Sequence, residues 1–93
     1  PVVVDSHDIR ESPKAKLEQL CEAIGLPPSP KMQSWPKGGH PGDGVWAPVW
    51  YGAVWNSSGF AGAEGALPKV PDDLRPVLEA AMPYYEAMKA QKI

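Results

Sequence analysis

Proline recurs twelve times in these 93 residues, and nine glycines are spread among them. A proline inside a helix removes one backbone N–H and crowds the carbonyl four residues earlier, so the regular elements must be short. The sequence is thereby cut into brief helices and loops, and a large independent sheet is excluded. A chain of this length supports one domain with a modest core. Eleven acidic and nine basic side chains give a formal net charge of −2. They form no like-charge block, which argues against a nucleic-acid arm or a polybasic membrane anchor. Cys21 is the single cysteine; it forms no internal disulfide and, with only His7 and His40 beside it, offers no metal-ligand spacing. No apolar run approaches the roughly twenty residues that cross a bilayer, and the N-terminus has no charged, apolar and cleavable leader pattern. A cytoplasmic protein without membrane or nucleic-acid partners is expected.

Val2, Val3 and Val4 are consecutive and β-branched, which predicts a strand over residues 1–5 buried on both faces, as in the parallel sheet of an α/β protein. Its neighbours would come from elsewhere, and the start at Pro1 reads as a cut through a larger sequence. Ser12-Pro13 opens a predicted helix over residues 13–24, with the hydroxyl as cap and the proline at the first position. Leu17, Leu20, Cys21 and Ile24 form its apolar stripe, and Gly25 with Pro27-Pro28 stops it. Cys21 is expected to be an inert core residue. A loop follows over 36–46, then a helix over 48–57 ended by Ser57-Ser58-Gly59, and a surface connection over 61–71. A last helix over 72–91 carries Leu74, Leu78, Ala81, Tyr85 and Met88 at helical spacing, with Pro83 expected to kink it.

The chemistry concentrates between Ser34 and Tyr51. Glycines let backbone N–H groups turn toward an anion, and indoles offer flat stacking surfaces. Lys37, Gly38, Gly39 and His40 are therefore candidates for phosphate binding, with Trp46 as the stacking ring. Each has a plainer alternative: solvated side chains for Lys37 and His40, turn geometry for the glycines, core or interface for Trp46, Trp50 and Trp55. Asp43 suits closure of the turn through backbone N–H groups better than a role as base. His7 and Asp8, just past the valine run, suit an acid/base pair or, equally, a surface histidine and a cap. No residue is assigned as catalytic.

The order of these segments resembles the C-terminal part of P-loop sulfotransferase-like proteins, in a bacterial and fungal branch. The resemblance rests on Asp5-Ser6-His7-Asp8-Ile9, Leu20-Cys21-Glu22-Ala23-Ile24-Gly25-Leu26-Pro27 and Met32-Gln33-Ser34-Trp35-Pro36. It continues through Asp43-Gly44-Val45-Trp46-Ala47-Pro48 and Trp50-Tyr51 to Ser57-Ser58-Gly59-Phe60. It implies an α/β fold, of which this segment would supply one strand and mostly helices to a three-layer parallel-sheet domain. It also implies transfer of a sulfuryl group from 3′-phosphoadenosine-5′-phosphosulfate to a small-molecule hydroxyl or amine. The family's phosphosulfate loop and its catalytic His or Glu belong to the N-terminal half of the domain, so this segment would not catalyse alone. By that resemblance the loop around Lys37, Gly38 and Gly39 falls where the family's loop reaches the cofactor's 3′-phosphate; with His40 and Trp46 these are the cofactor-binding candidates, and His7, Asp8 and Trp50 are candidate acceptor or pocket residues. The expected partner is the N-terminal half of the same domain or a second chain.

A reading of a different class is a small non-enzymatic interaction module that meets a protein partner through its tryptophan-rich surface.

Overall fold

The computed structural model describes residues 1–93, and its regular elements are all helical. Helix α1 spans Ser6–Glu11, α2 Pro13–Ile24, α3 Ala47–Trp50, α4 Gly52–Trp55 and α5 Arg75–Lys89, with 3₁₀ turns at Pro30–Met32 and Asp72–Leu74. No helix is long and apolar enough to cross a membrane.

The expectation of an α/β segment with a strand over residues 1–5 is overturned. There is no strand and no sheet, only two isolated bridges, a parallel one between Val3 and Lys92 and an antiparallel one between Ser34 and Gly59. The physical reason is the lack of pairing length. Beside the valines the chain places only its last residues, where the Ile93 N–H donates to the Val3 carbonyl at 3.1 Å. Asp5 then redirects the backbone: its side chain accepts the His7 N–H at 3.0 Å and caps α1. What the sequence presents as an acidic turn after a strand is the first turn of a helix.

Helix α2 begins with Pro13 at its first position and ends at Gly25, whose φ of 72° and ψ of 29° form the left-handed cap. Ser12 joins α1 to α2 by backbone alone, its N–H donating to the Asp8 carbonyl, and its hydroxyl makes no capping bond, contrary to expectation. Cys21 is 1% exposed and, with Leu17 and Ala47, makes up the buried core. Its thiol donates to the Met32 sulfur at 3.7 Å, which fastens α2 to the Pro30–Met32 turn. The helix expected over 48–57 is two short helices, broken where Tyr51 takes a ψ of 11° ahead of Gly52. The connection over 61–71 is held at its start by Arg10, which donates to the Gly62 carbonyl at 3.1 Å and pairs with Glu64. Helix α5 includes Pro83 and buries none of its residues.

A compact monomer of this mass exposes about 5,200 Å², whereas this chain exposes 7522 Å². Its radius of gyration is 16.5 Å, against about 12 Å for a compact domain of the same length. Exposed large hydrophobic side chains run along α5 through Val77, Tyr84 and Tyr85 and around α3 through Val45, Trp46, Val49 and Trp50.

Candidate functional site: a braced glycine loop

The loop from Lys37 to Gly44 is folded against α4 by its own polar groups. The Gly38 N–H donates to the Trp55 carbonyl at 2.8 Å. Gly38 sits at φ 115°, a conformation that side-chain-bearing residues rarely adopt. Gly39 lies flat on the Trp55 indole; a Cβ there would stand 3.1 Å from two ring carbons. Asp43 turns its Oδ2 inward to accept both the His40 N–H and the Trp55 indole N–H, each at 2.8 Å. The His40 N–H bond first and the indole bond second hold its carboxyl below the usual carboxylate range. Asp43 therefore closes the turn as an ionised acceptor.

His40 takes part through its ring as well. Its Nδ1 accepts the Gly42 N–H at 2.9 Å, so the neutral imidazole carries its proton on Nε2, which makes no bond within the chain. Lys37 is exposed and its ammonium has no carboxylate partner, and the Gly39 N–H makes no hydrogen bond within the chain. These donors, with the backbone N–H groups of Lys37 and Gly44, are left unused by the brace. His40, Asp43, Val45 and Trp55 line an open depression of about 400 Å³, which Lys37, Gly38 and Gly39 do not line.

The other candidates are distributed differently. Trp46, which precedes α3, and Trp50, which ends it, stand one turn apart, 70% and 75% exposed, with no bond from either indole. They do not line the depression beside His40. His7 and Asp8 do not pair with each other. The His7 ring faces solvent, 3.8 Å from Glu11 one turn later. The Asp8 carboxylate meets Lys92 Nζ at 2.7 Å, and Asp5 stands 3.5 Å from the same ammonium. The Lys92 bond is the main cause that holds the Asp8 carboxyl low, and the Asp8 bond in turn raises the Lys92 ammonium.

Two structural roles are hidden in the sequence. Trp55, one of three indoles without an assigned face, is the residue on which the loop rests. Ser57 is a bridge: its hydroxyl accepts the Trp35 indole N–H at 2.9 Å and donates to the Val54 carbonyl at 2.6 Å. The Trp35 ring also meets Phe60 edge to face at 5.5 Å. The spacing of Trp35 and Ser57 carries no local signal, because 22 residues separate them.

A family model described as "Sulfotransferase domain" matches residues 1–92. Two proteins of Arabidopsis thaliana are similar: branched-chain-amino-acid aminotransferase-like protein 1, 32% identical over 90 residues, and its namesake protein 2, 30% identical over 89. The alignments cover 97% and 96% of this chain but only 16% of each relative, so the chain spans a small part of their length. No solved structure matches.

Proposed function

The chain belongs to the sulfotransferase domain family, and on that premise we propose that it forms part of a 3′-phosphoadenosine-5′-phosphosulfate or acceptor pocket and does not catalyse alone. The N-terminal half of the same domain, or a second chain, supplies the remainder, and the protein works in the cytoplasm. When bound, this cofactor provides the sulfuryl group that passes to a small-molecule acceptor.

The observation that carries the reading is the set of donors left over at the loop. A phosphate monoester needs N–H groups and a cation at one edge. The Lys37 ammonium, the Gly39 N–H and His40 Nε2–H are unengaged within the chain, while the Gly38, His40 and Gly42 N–H groups are spent on holding the loop. Asp43 turns one carboxylate oxygen to two N–H donors of the loop and its support. Donors of these types are what a 3′-phosphate takes up, which supports the reading. Trp46 presents an uncovered face for the adenine, and His7, Asp8 and Trp50 are assigned to the acceptor side. Asp8 there serves as a fixed negative charge, since Lys92 keeps it ionised.

Calorimetry with adenosine 3′,5′-bisphosphate on the full-length gene product tests the reading. Binding that weakens about tenfold in Lys37→Ala, as loss of one charged hydrogen bond implies, is the expected result. The absence of binding by the wild type overturns it. The exposure of Trp46 and Trp50 favours a second reading, a non-enzymatic module whose tryptophan-rich surface meets a protein partner. That reading is the one left standing if no nucleotide binds.

A further inference from the structure

We infer that Trp55 is the positioning residue of the proposed cofactor loop, holding Gly38, Gly39 and, by way of Asp43, His40 in the geometry that presents Lys37 and the free donors. The inference rests on the cofactor reading of the Lys37–His40 loop and adds a residue which that reading does not contain.

Trp55 is the last residue of α4, so its carbonyl is one of those that a helix end leaves without an internal partner. The Gly38 N–H takes that position at 2.8 Å. The ring then forms a floor for Gly39, close enough that no Cβ fits without displacing it. The indole N–H finally fixes Asp43, and the oxygen that accepts it also accepts the His40 N–H. One side chain and its carbonyl thus control three successive residues of the loop. Trp46 and Trp50 have no comparable contact, and Trp55 is the more buried of the three. The chemical requirement is specific: a ring for packing and an N–H for the carboxylate. Trp55→Phe keeps the first and removes the second, whereas Asp43→Asn keeps the size of the acceptor and removes its charge.

The test uses the full-length gene product and adenosine 3′,5′-bisphosphate as probe, with Trp55→Phe, Asp43→Asn and the double variant. Each single variant is expected to bind about tenfold more weakly, the scale of one hydrogen bond to a charged group. The double variant is expected to bind no more weakly than either single one, because both break the same connection. A second readout separates positioning from general packing. The NMR titration midpoint of the Asp43 carboxyl should rise in Trp55→Phe, and the Gly38 and His40 amides should exchange faster. Wild-type-like binding by Trp55→Phe, or additive losses in the double variant, would overturn the inference while leaving the cofactor reading intact. No binding by the wild type overturns the cofactor reading and with it the positioning role; faster amide exchange in Trp55→Phe would then establish a purely structural brace.

Discussion

Lys92 Nζ stands 2.7 Å from the carboxylate of Asp8, so a cation at the end of the chain is tied to the first helix. The same ammonium faces Asp5, the cap of that helix, at 3.5 Å. Lys16 adds a second tether by donating to the Ile93 carbonyl at 2.9 Å. With no sheet to fasten them, the two ends are joined by these polar contacts and one backbone bridge.

The pair should leave a pH signature. The Asp8 carboxyl is lowered from 3.8, so its contribution is fully present above that value and is lost as pH falls through the lower folded value. Lys92 is raised from 10.5, so its contribution is fully present below that value and is lost as pH rises through the higher one. Lys92→Met should therefore melt below the wild type by a nearly constant margin between pH 3.8 and pH 10.5, with the margin closing on either side. Both partners are partly exposed, so the margin should also shrink in high salt. Thermal melts across pH check this; a margin that persists well below pH 3.8 would contradict the role of the ionised pair.

Gly25 carries a backbone constraint that composition alone does not reveal. At φ 72° it ends α2, its N–H donating back into the last turn, with open space where a Cβ would stand. Gly25→Ala should then cost about 1 kcal/mol through backbone conformation rather than through a clash. Gly25→Asn should cost less, because asparagine tolerates the left-handed region. Equal losses for the two variants in denaturant melts would point to a contact instead.

The contrast between α2 and the valine run shows what local sequence reveals. Pro13, the spacing of Leu17 and Cys21, and Gly25 each act within a few residues, so that helix is legible from residue types. Val2 to Val4 have the composition of a buried strand, yet a strand exists only through partners, and the available partner here is the short stretch at Lys92 and Ile93. The site divides in the same way. The turn-closing role of Asp43 follows from its own chemistry three residues after His40. The support from Trp55 reaches it across 12 residues and through an indole N–H, which no spacing rule anticipates. Likewise, His7 and Asp8 are adjacent in sequence, but the helix that Asp5 starts sends them to different partners.

Ser57 should behave as a structural hydroxyl. Its proton goes to the Val54 carbonyl at 2.6 Å and its oxygen receives the Trp35 indole, so no base stands ready to activate it. Ser57→Ala is expected to cost about 1 kcal/mol by leaving the indole N–H without its acceptor. Trp35→Phe should cost a similar amount or more, since it also alters the edge-to-face contact with Phe60. The double variant should be less destabilised than the sum, which denaturant melts measure. Labelling of Ser57 by a fluorophosphonate, which phosphonylates an activated serine with loss of fluoride, would contradict the structural role.

Trp46 and Trp50 give the most direct view of whether this surface is completed by more protein. The chain exposes about 2,300 Å² more than the size law for a compact monomer allows, an excess within the per-partner range of an obligate interface. Trp46, Trp50, Val45 and Val49 together supply part of that excess from one short helix and its approach. In the 93-residue chain, Trp46→Phe and Trp50→Phe should each remove a component of indole emission that acrylamide quenches readily. Trp35 and Trp55, whose N–H groups are bonded, should form the protected remainder. In the full-length gene product the Trp46 and Trp50 components should become protected too, and adenosine 3′,5′-bisphosphate should protect Trp46 further if its ring receives the adenine. Protection by the rest of the polypeptide would be the mark of a composite pocket. Indoles that stay open to the quencher in the full-length product would instead leave the surface available to a separate partner, as the interaction-module reading requires.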